Sequence, residues 1–240
     1  MAVITLIIYS LSLLQFADSL FKEGDYFNAI TEYKRAVYLK ESPRYALWKI
    51  GLSYERRGKP GFAAKYFGEL AFMDDLLPVT HHLAYNLIEI KRYREAILVL
   101  ESKRDTVSLI MHAAALGLSG DFKQADSVLI SLNIKLPSLP NDNVLRYPSY
   151  IVPGFGLFLL GDYKRGLLSC LLTTGTGYLT YYLVKHKRYP EAIVTFNTLF
   201  LRFYSGNIQN AIKLKKKKQK RFYMGLIERY VNGSHCFPGE

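Results

Sequence analysis

Four stretches of this chain superimpose without gaps, and the residues they share leave little freedom of fold. They begin at Phe16 (FADSLFKEGDYFNAITEYKRAVYL), Lys49 (KIGLSYERRGKPGFAAKYFGELAFM), Leu83 (LAYNLIEIKRYREAILVLES) and His112 (HAAALGLSGDFKQADSVLISL). A small residue leads the first helix of each: Ala17, Gly51, Ala84, Ala113. Leu20, Tyr54, Leu87 and Leu116 follow three positions later, and Gly24, Gly58, Lys91 and Gly120 hold the turn four beyond. An alanine returns in the second helix at Ala29, Ala63, Ala96 and Ala125, with Tyr33, Phe67, Leu100 and Leu129 four further on. Small residues let two antiparallel helices approach, large ones fill the groove between hairpins, and the turn glycine takes backbone angles other residues resist. One hairpin cannot bury its own apolar face, so several must stack.

Over roughly residues 13–133 this pattern resembles the tetratricopeptide repeat (TPR). The second copy carries Ile50-Gly51 and Tyr54 where that family's signature has Leu-Gly and Tyr, and Trp48 lies one place from its tryptophan. The closing proline is displaced to Pro43 and Pro78, and the third copy has Lys91 in place of the turn glycine. The resemblance implies a right-handed solenoid at 17–133 whose groove binds peptide segments of a protein partner.

Upstream, residues 1–16 are largely apolar. They read either as the apolar core of an export signal cleaved near Ala17 or as an uncleaved hydrophobic start to the first helix. No Lys or Arg precedes the run, the first being Lys22.

Downstream, 134–148 carries three prolines and Asn141-Asp142-Asn143, and reads as an irregular linker. Gly166 to Val184 then runs 19 residues with no ionisable side chain other than tyrosine and the thiol of Cys170. As a helix it would reach about 28 Å, close to a bilayer's hydrocarbon thickness. Lys164 and Arg165 precede it, and Lys185, His186, Lys187 and Arg188 follow. It reads as a membrane span. Ala192 to Gly206 is a second apolar segment containing Asn197 and Arg202, either the return arm of a transmembrane hairpin or an interfacial helix. The sequence therefore predicts an all-α protein: a TPR-like solenoid, a membrane-associated hairpin at 149–212 and a basic tail at 213–240.

The stretch PGFGLFLLGDYKRG supplies Pro153, Gly154, Gly156, Gly161 and Gly166; the later Tyr204-Ser205-Gly206-Asn207 supplies Tyr204, Gly206 and Asn207. Together these look like the Pro-Gly-x-Gly-Gln and Tyr-Ser-Gly-Asn membrane motif of poorly characterised bacterial envelope proteins, with Leu157 where that group has Gln and Leu159 where it has Tyr. That resemblance implies a bacterial membrane location but carries no activity. A phosphate-cradling glycine loop is the competing reading, and the spacing fits neither nucleotide fingerprint.

Charge is placed unevenly. Residues 136–240 hold 15 Lys/Arg against 5 Asp/Glu, so +10 of the net +12 lies there. Seven of those cations form the run Lys213, Lys215, Lys216, Lys217, Lys218, Lys220 and Arg221. Beside a membrane segment, anionic lipid headgroups are their expected partner; nucleic acid is the rival, and no aromatic interleaves the run.

No catalytic constellation assembles. His81 and His82 are adjacent, about 100° apart on a helix, and His112, His186 and His235 are isolated. The chain reads as a non-enzymatic scaffold without cofactor or metal, held at a bacterial cell membrane with its repeats outside the cytoplasm. The alternatives are a soluble cytoplasmic adaptor and a nucleic-acid binder using the basic tail.

Overall fold

The computed structural model describes residues 13–73 and 76–230, and among these it contains helices and no β-strand. Residues 1–12, most of the segment read as signal or hydrophobic helix, lie outside the described residues. The helices run α1 (13–22), α2 (Tyr26–Tyr38), α3 (Pro43–Arg56), α4 (Pro60–Met73), α5 (Leu77–Glu89), α6 (Tyr93–Leu100), α7 (Thr106–Ser119), α8 (Phe122–Ser131), α9 (Asp142–Ile151), α10 (Phe155–Leu159), α11 (Tyr163–Lys185), α12 (Tyr189–Thr195) and α13 (Leu201–Tyr230), with a π-helical turn at Phe196–Phe200. The chain divides into two compact units: Met1–Lys135 together with Tyr223–Glu240, and Leu136–Phe222.

Unit 1 is a stack of helical hairpins: α1/α2, α3/α4, α5/α6 and α7/α8. Local chemistry starts and stops the helices. The carboxylates of Asp25 and Asp121 accept the amides of Asn28 and Gln124 at the starts of α2 and α8. Pro43 and Pro60 open α3 and α4, where a missing amide proton costs nothing. The four copies then place their shared residues alike. Ala17, Ala84 and Ala113 are wholly buried, as are Ala29, Ala63, Ala96 and Ala125. Tyr33, Phe67, Leu100 and Leu129 fill the space beside them. Each such large side chain contributes about 1.5–3 kcal/mol through burial.

All four turns have positive φ: +83° at Gly24, +64° at Gly58, +113° at Gly120 and +63° at Lys91. In all four hairpins the residue after the turn donates its amide to a carbonyl five positions back, as Asp25 does to Leu20 and Asp121 to Leu116. At Gly120 this bond and the turn residue's own both fall on the Leu116 carbonyl. Trp48, one place from the family position, packs edge-on against Phe67 and His82 at 5.4 and 4.9 Å.

Unit 2 is built from α9 to the first part of α13 around Leu145, Leu157, Leu160 and Ala211. Three expectations are corrected here. From Asp142 the predicted linker is helical: Asn141 stands extended before α9, so the Asn-Asp-Asn run starts a helix instead of breaking one, and Pro148 sits inside it. The basic run is not a free tail but the interior of α13, with Lys215 bonded to Asp142 at 2.6 Å and Lys218 to the Leu160 carbonyl at 2.6 Å. Finally, among the described residues no helix is long and apolar enough to cross a membrane, so the transmembrane hairpin is not found. Length is not the reason, since the 23 residues of α11 reach about 34 Å. The threonines dilute its apolarity, and Thr173, Thr174, Thr176 and Thr180 turn their hydroxyls back onto carbonyls four residues earlier. The second apolar segment is interrupted by the π turn.

Candidate functional site

The residues of the Pro-Gly-x-Gly and Tyr-Ser-Gly-Asn motif meet in unit 2. Pro153 and Gly154 make the turn from α9 to α10. Gly154 has φ +92°, and a Cβ there would fall 2.3 Å from the Gly166 carbonyl oxygen, so these two glycines mark a backbone-to-backbone contact. At Gly156 a Cβ would fall 3.0 Å from the Ala211 methyl and 2.9 Å from Ser149 Oγ. Ser149, buried, donates to the Leu145 carbonyl at 2.6 Å and accepts the Gly156 amide at 2.9 Å. Tyr204 donates its hydroxyl to the Tyr150 carbonyl at 2.8 Å. Gly161 has φ +76° in the turn before α11, and a side chain at Gly206 would meet open space.

These contacts set α11 beside α13 with a cavity of about 950 Å³ between them. Leu157, Leu168, Leu172, Phe203 and Leu214 give it apolar walls; Arg165, Arg202, Lys213 and Lys217 give it four cations and no carboxylate. Asp162 stands outside the lining with Oδ2 3.5 Å from Arg165 Nε. Asn207 also lines the cavity and is 2 % exposed, yet neither its amide nitrogen nor its oxygen has a partner. Of the predicted headgroup cations, Lys213 and Lys217 belong to this cavity, Lys215 and Lys218 are engaged internally, and Lys216, Lys220 and Arg221 face solvent.

A large apolar surface lies on the same unit. Leu167, Leu171, Tyr178, Tyr181, Ile193 and Val194 are each more than half exposed. On α11 the apolar side chains surround the helix instead of forming one stripe.

Sequence reasoning missed that the repeat turn continues into this unit. Gly161-Asp162-Tyr163 matches Gly24-Asp25-Tyr26, with Asp162 capping Arg165 as Asp25 caps Asn28. Lys187-Arg188-Tyr189-Pro190-Glu191-Ala192-Ile193 likewise matches Lys91-Arg92-Tyr93-Arg94-Glu95-Ala96-Ile97. Lys187 has φ +60°, Arg188 donates its amide to the Leu183 carbonyl, and Ala192 is buried. The link between α11 and α12 is thus a hairpin turn of the same kind.

In unit 1 the adjacent histidines point to different helices. His81 Nε2 lies 3.1 Å from Asp105 Oδ2 and 2.9 Å from Ser108 Oγ, while His82 Nδ1 lies 2.8 Å from Glu55 Oε2. Burial lowers the His81 pKa below its ordinary value against the pull of Asp105. Among the described residues no three His, Cys, Asp or Glu side chains group as a metal site. The hydroxyls of Tyr33 and Tyr45 both donate to the Asp18 carboxylate, and burial followed by that contact raises both phenol pKa values.

No protein-family model matches the chain, and no curated protein matches it. Among solved structures it is similar to a chain of the "Structure of Naa15/Naa10 bound to HypK-THB", at 17% identity and a TM-score of 0.43, over 95% of this chain. It spans 38% of the length of that chain.

Proposed function

We propose that the chain is a non-catalytic helical-repeat scaffold of a bacterial cell envelope. In this reading unit 1 binds a protein partner, and unit 2 rests on an anionic membrane surface without crossing it. The observation that carries the membrane seat is the exposed apolar surface of α11 and α12. Folded chains rarely leave so many leucine, isoleucine and tyrosine side chains in water unless something covers them. Cations stand at both ends of α11: Lys164 and Arg165 at its start, Lys185, Lys187 and Arg188 at and beyond its end. Each contributes about 1 kcal/mol near an anionic leaflet. An apolar body with basic ends fits a headgroup boundary, where leucines enter the acyl region and tyrosines stay at the polar level. Nucleic acid is less well supported, because two lysines of the basic run are engaged within the fold.

The protein-binding half is supported by the stacked hairpins and by the exposed rings of Phe62 and Phe72 on unit 1, with Tyr54 and Tyr66 half-buried beside Phe62. Phe62, Tyr54 and Tyr66 stack with centroids 5.2 and 5.5 Å apart, and Phe72 is 94% exposed. Rigid aromatic side chains are the usual anchors of protein interfaces.

Co-sedimentation with vesicles tests the membrane seat. The full chain should pellet with vesicles containing phosphatidylglycerol and much less with phosphatidylcholine alone. Leu171→Glu with Ile193→Glu should weaken binding by at least about tenfold, since each removes an inserted apolar side chain. A wild-type chain that stays in the supernatant with both vesicle types would overturn the seat.

A further inference from the structure

We propose that the cavity between α11 and α13 binds a phosphate group esterified to an apolar body, the chemistry of an acidic phospholipid. The assignment rests on the membrane-seat reading for the source of such a ligand, and on the cavity alone for its chemistry.

Three observations combine. First, Arg165, Arg202, Lys213 and Lys217 converge on one cavity whose lining holds no carboxylate. Like charges gathered without a counter-ion raise one another's electrostatic energy, and an anion relieves that cost. Arg165 has Asp162 nearby, but among the described residues no hydrogen bond or ion pair engages Arg202, Lys213 or Lys217. Guanidinium groups suit phosphate because they offer paired donors in one plane.

Second, Asn207 is buried at the cavity with both amide atoms unpartnered. A buried amide without a bond is costly, so the site is incomplete as it stands. A phosphate oxygen accepts from the amide nitrogen, and the remaining P–OH of a phosphate monoester donates to the amide oxygen. Third, Leu157, Leu168, Leu172 and Phe203 line the same cavity. A site for free phosphate has no use for such walls, whereas an acyl chain or similar body covers them.

Short-chain lipids below their micellar concentration provide a test that needs no bilayer. Full-length protein is titrated calorimetrically with dihexanoyl phosphatidic acid, dihexanoyl phosphatidylcholine and inorganic phosphate. The acidic lipid should bind, and the other two should bind at least about tenfold more weakly. Arg202→Gln, on an exposed position, should cost about tenfold or more by removing a charge-assisted bond. Asn207→Leu should abolish most of the binding while raising the melting temperature, because it removes an unsatisfied buried amide. A purely structural asparagine would instead lower both.

Equal affinity for inorganic phosphate would overturn the amphiphile assignment. Absence of acidic-lipid binding by folded wild-type protein, or unchanged binding in both variants, would overturn the site. Failure of the vesicle assay alone leaves this titration positive, and loss of the titration alone leaves vesicle binding in place, so the two readings fail separately.

Discussion

At Gly51 an added Cβ would come within 2.7 Å of the Phe67 ring, closer than real Cβ contacts come. The repeat pattern treats this position as interchangeable with Ala17, Ala84 and Ala113, because all four are small. The pattern shows that the helices approach there but not how closely each ring sits, which depends on the packing of one hairpin. Gly51→Ala should therefore destabilise unit 1 by about 1–3 kcal/mol in urea unfolding, although alanine is the better helix former. Protonation acts on the same unit through its histidines. Burial lowers His81, with Asp105 pulling it up and His82 and Lys103 pushing it down; burial also lowers His112, with Glu101 and Arg104 opposing each other. Both folded pKa values lie below 6.5, so in acid the unfolded chain takes up protons that the folded chain refuses. Their contribution to stability is complete above pH 6.5 and is lost as pH falls from there toward the folded values. Thermal melts should show a melting temperature falling below pH 6.5, with a flatter profile after His81→Asn and His112→Asn. An unchanged slope in that double variant would exclude these two groups as the cause.

Among the elements, the turn between paired helices was the most legible feature, because it is written in consecutive residues. Glycine, a cap such as Asp25 or Asp121 and an aromatic residue follow one another, and the backbone angles at Gly24 and Gly120 agree with them. The copies at Gly161 and Lys187 were equally legible. They are obscured because the length, apolarity and basic flanks of Gly166 to Val184 do not separate a membrane helix from a repeat helix whose outer faces are also apolar. The irregular reading of 142–148 failed for a different reason: Asn141 and Asp142 favour helix starts as strongly as they favour turns. Lys91 carries the turn with φ +63°, a left-handed conformation that costs a residue with a Cβ about 1–2 kcal/mol. Lys91→Gly removes that cost and regains about 0.5–1 kcal/mol less through unfolded-state freedom. The variant should be more stable by up to about 1 kcal/mol in chemical unfolding, whereas Gly58→Lys should be less stable.

At the scale of the molecule, what no local pattern reveals is that the chain leaves unit 1 at Lys135 and rejoins it at Tyr223. Tyr223 donates its hydroxyl to Asp126, 97 residues earlier, and its ring stacks on Phe122 with centroids 6.2 Å apart. Leu226 and Ile227 are buried with it. Those residues follow a basic run that dominates any reading of composition, so the sequence suggests a basic tail at a lipid surface where the structure has core. Tyr223→Ala should cost about 3–5 kcal/mol, as for other fully buried rings, and Tyr223→Phe about 0.5–1.5 kcal/mol for the lost hydrogen bond. Gly117 gives a sharper test of the same contact. A Cβ there would lie 2.3 Å from the Tyr223 ring, so in the wild-type background Gly117→Ala forces the ring aside and destabilises unit 1. Once Tyr223 is alanine the obstruction is gone. Only helix propensity remains, and it favours alanine over glycine by about 0.8–1 kcal/mol. The same substitution should therefore change sign between the two backgrounds in a double-mutant cycle of unfolding free energies. Equal effects of Gly117→Ala with and without the ring would mean that the end of α13 does not pack on α7, and would return residues from Tyr223 onward to the basic tail.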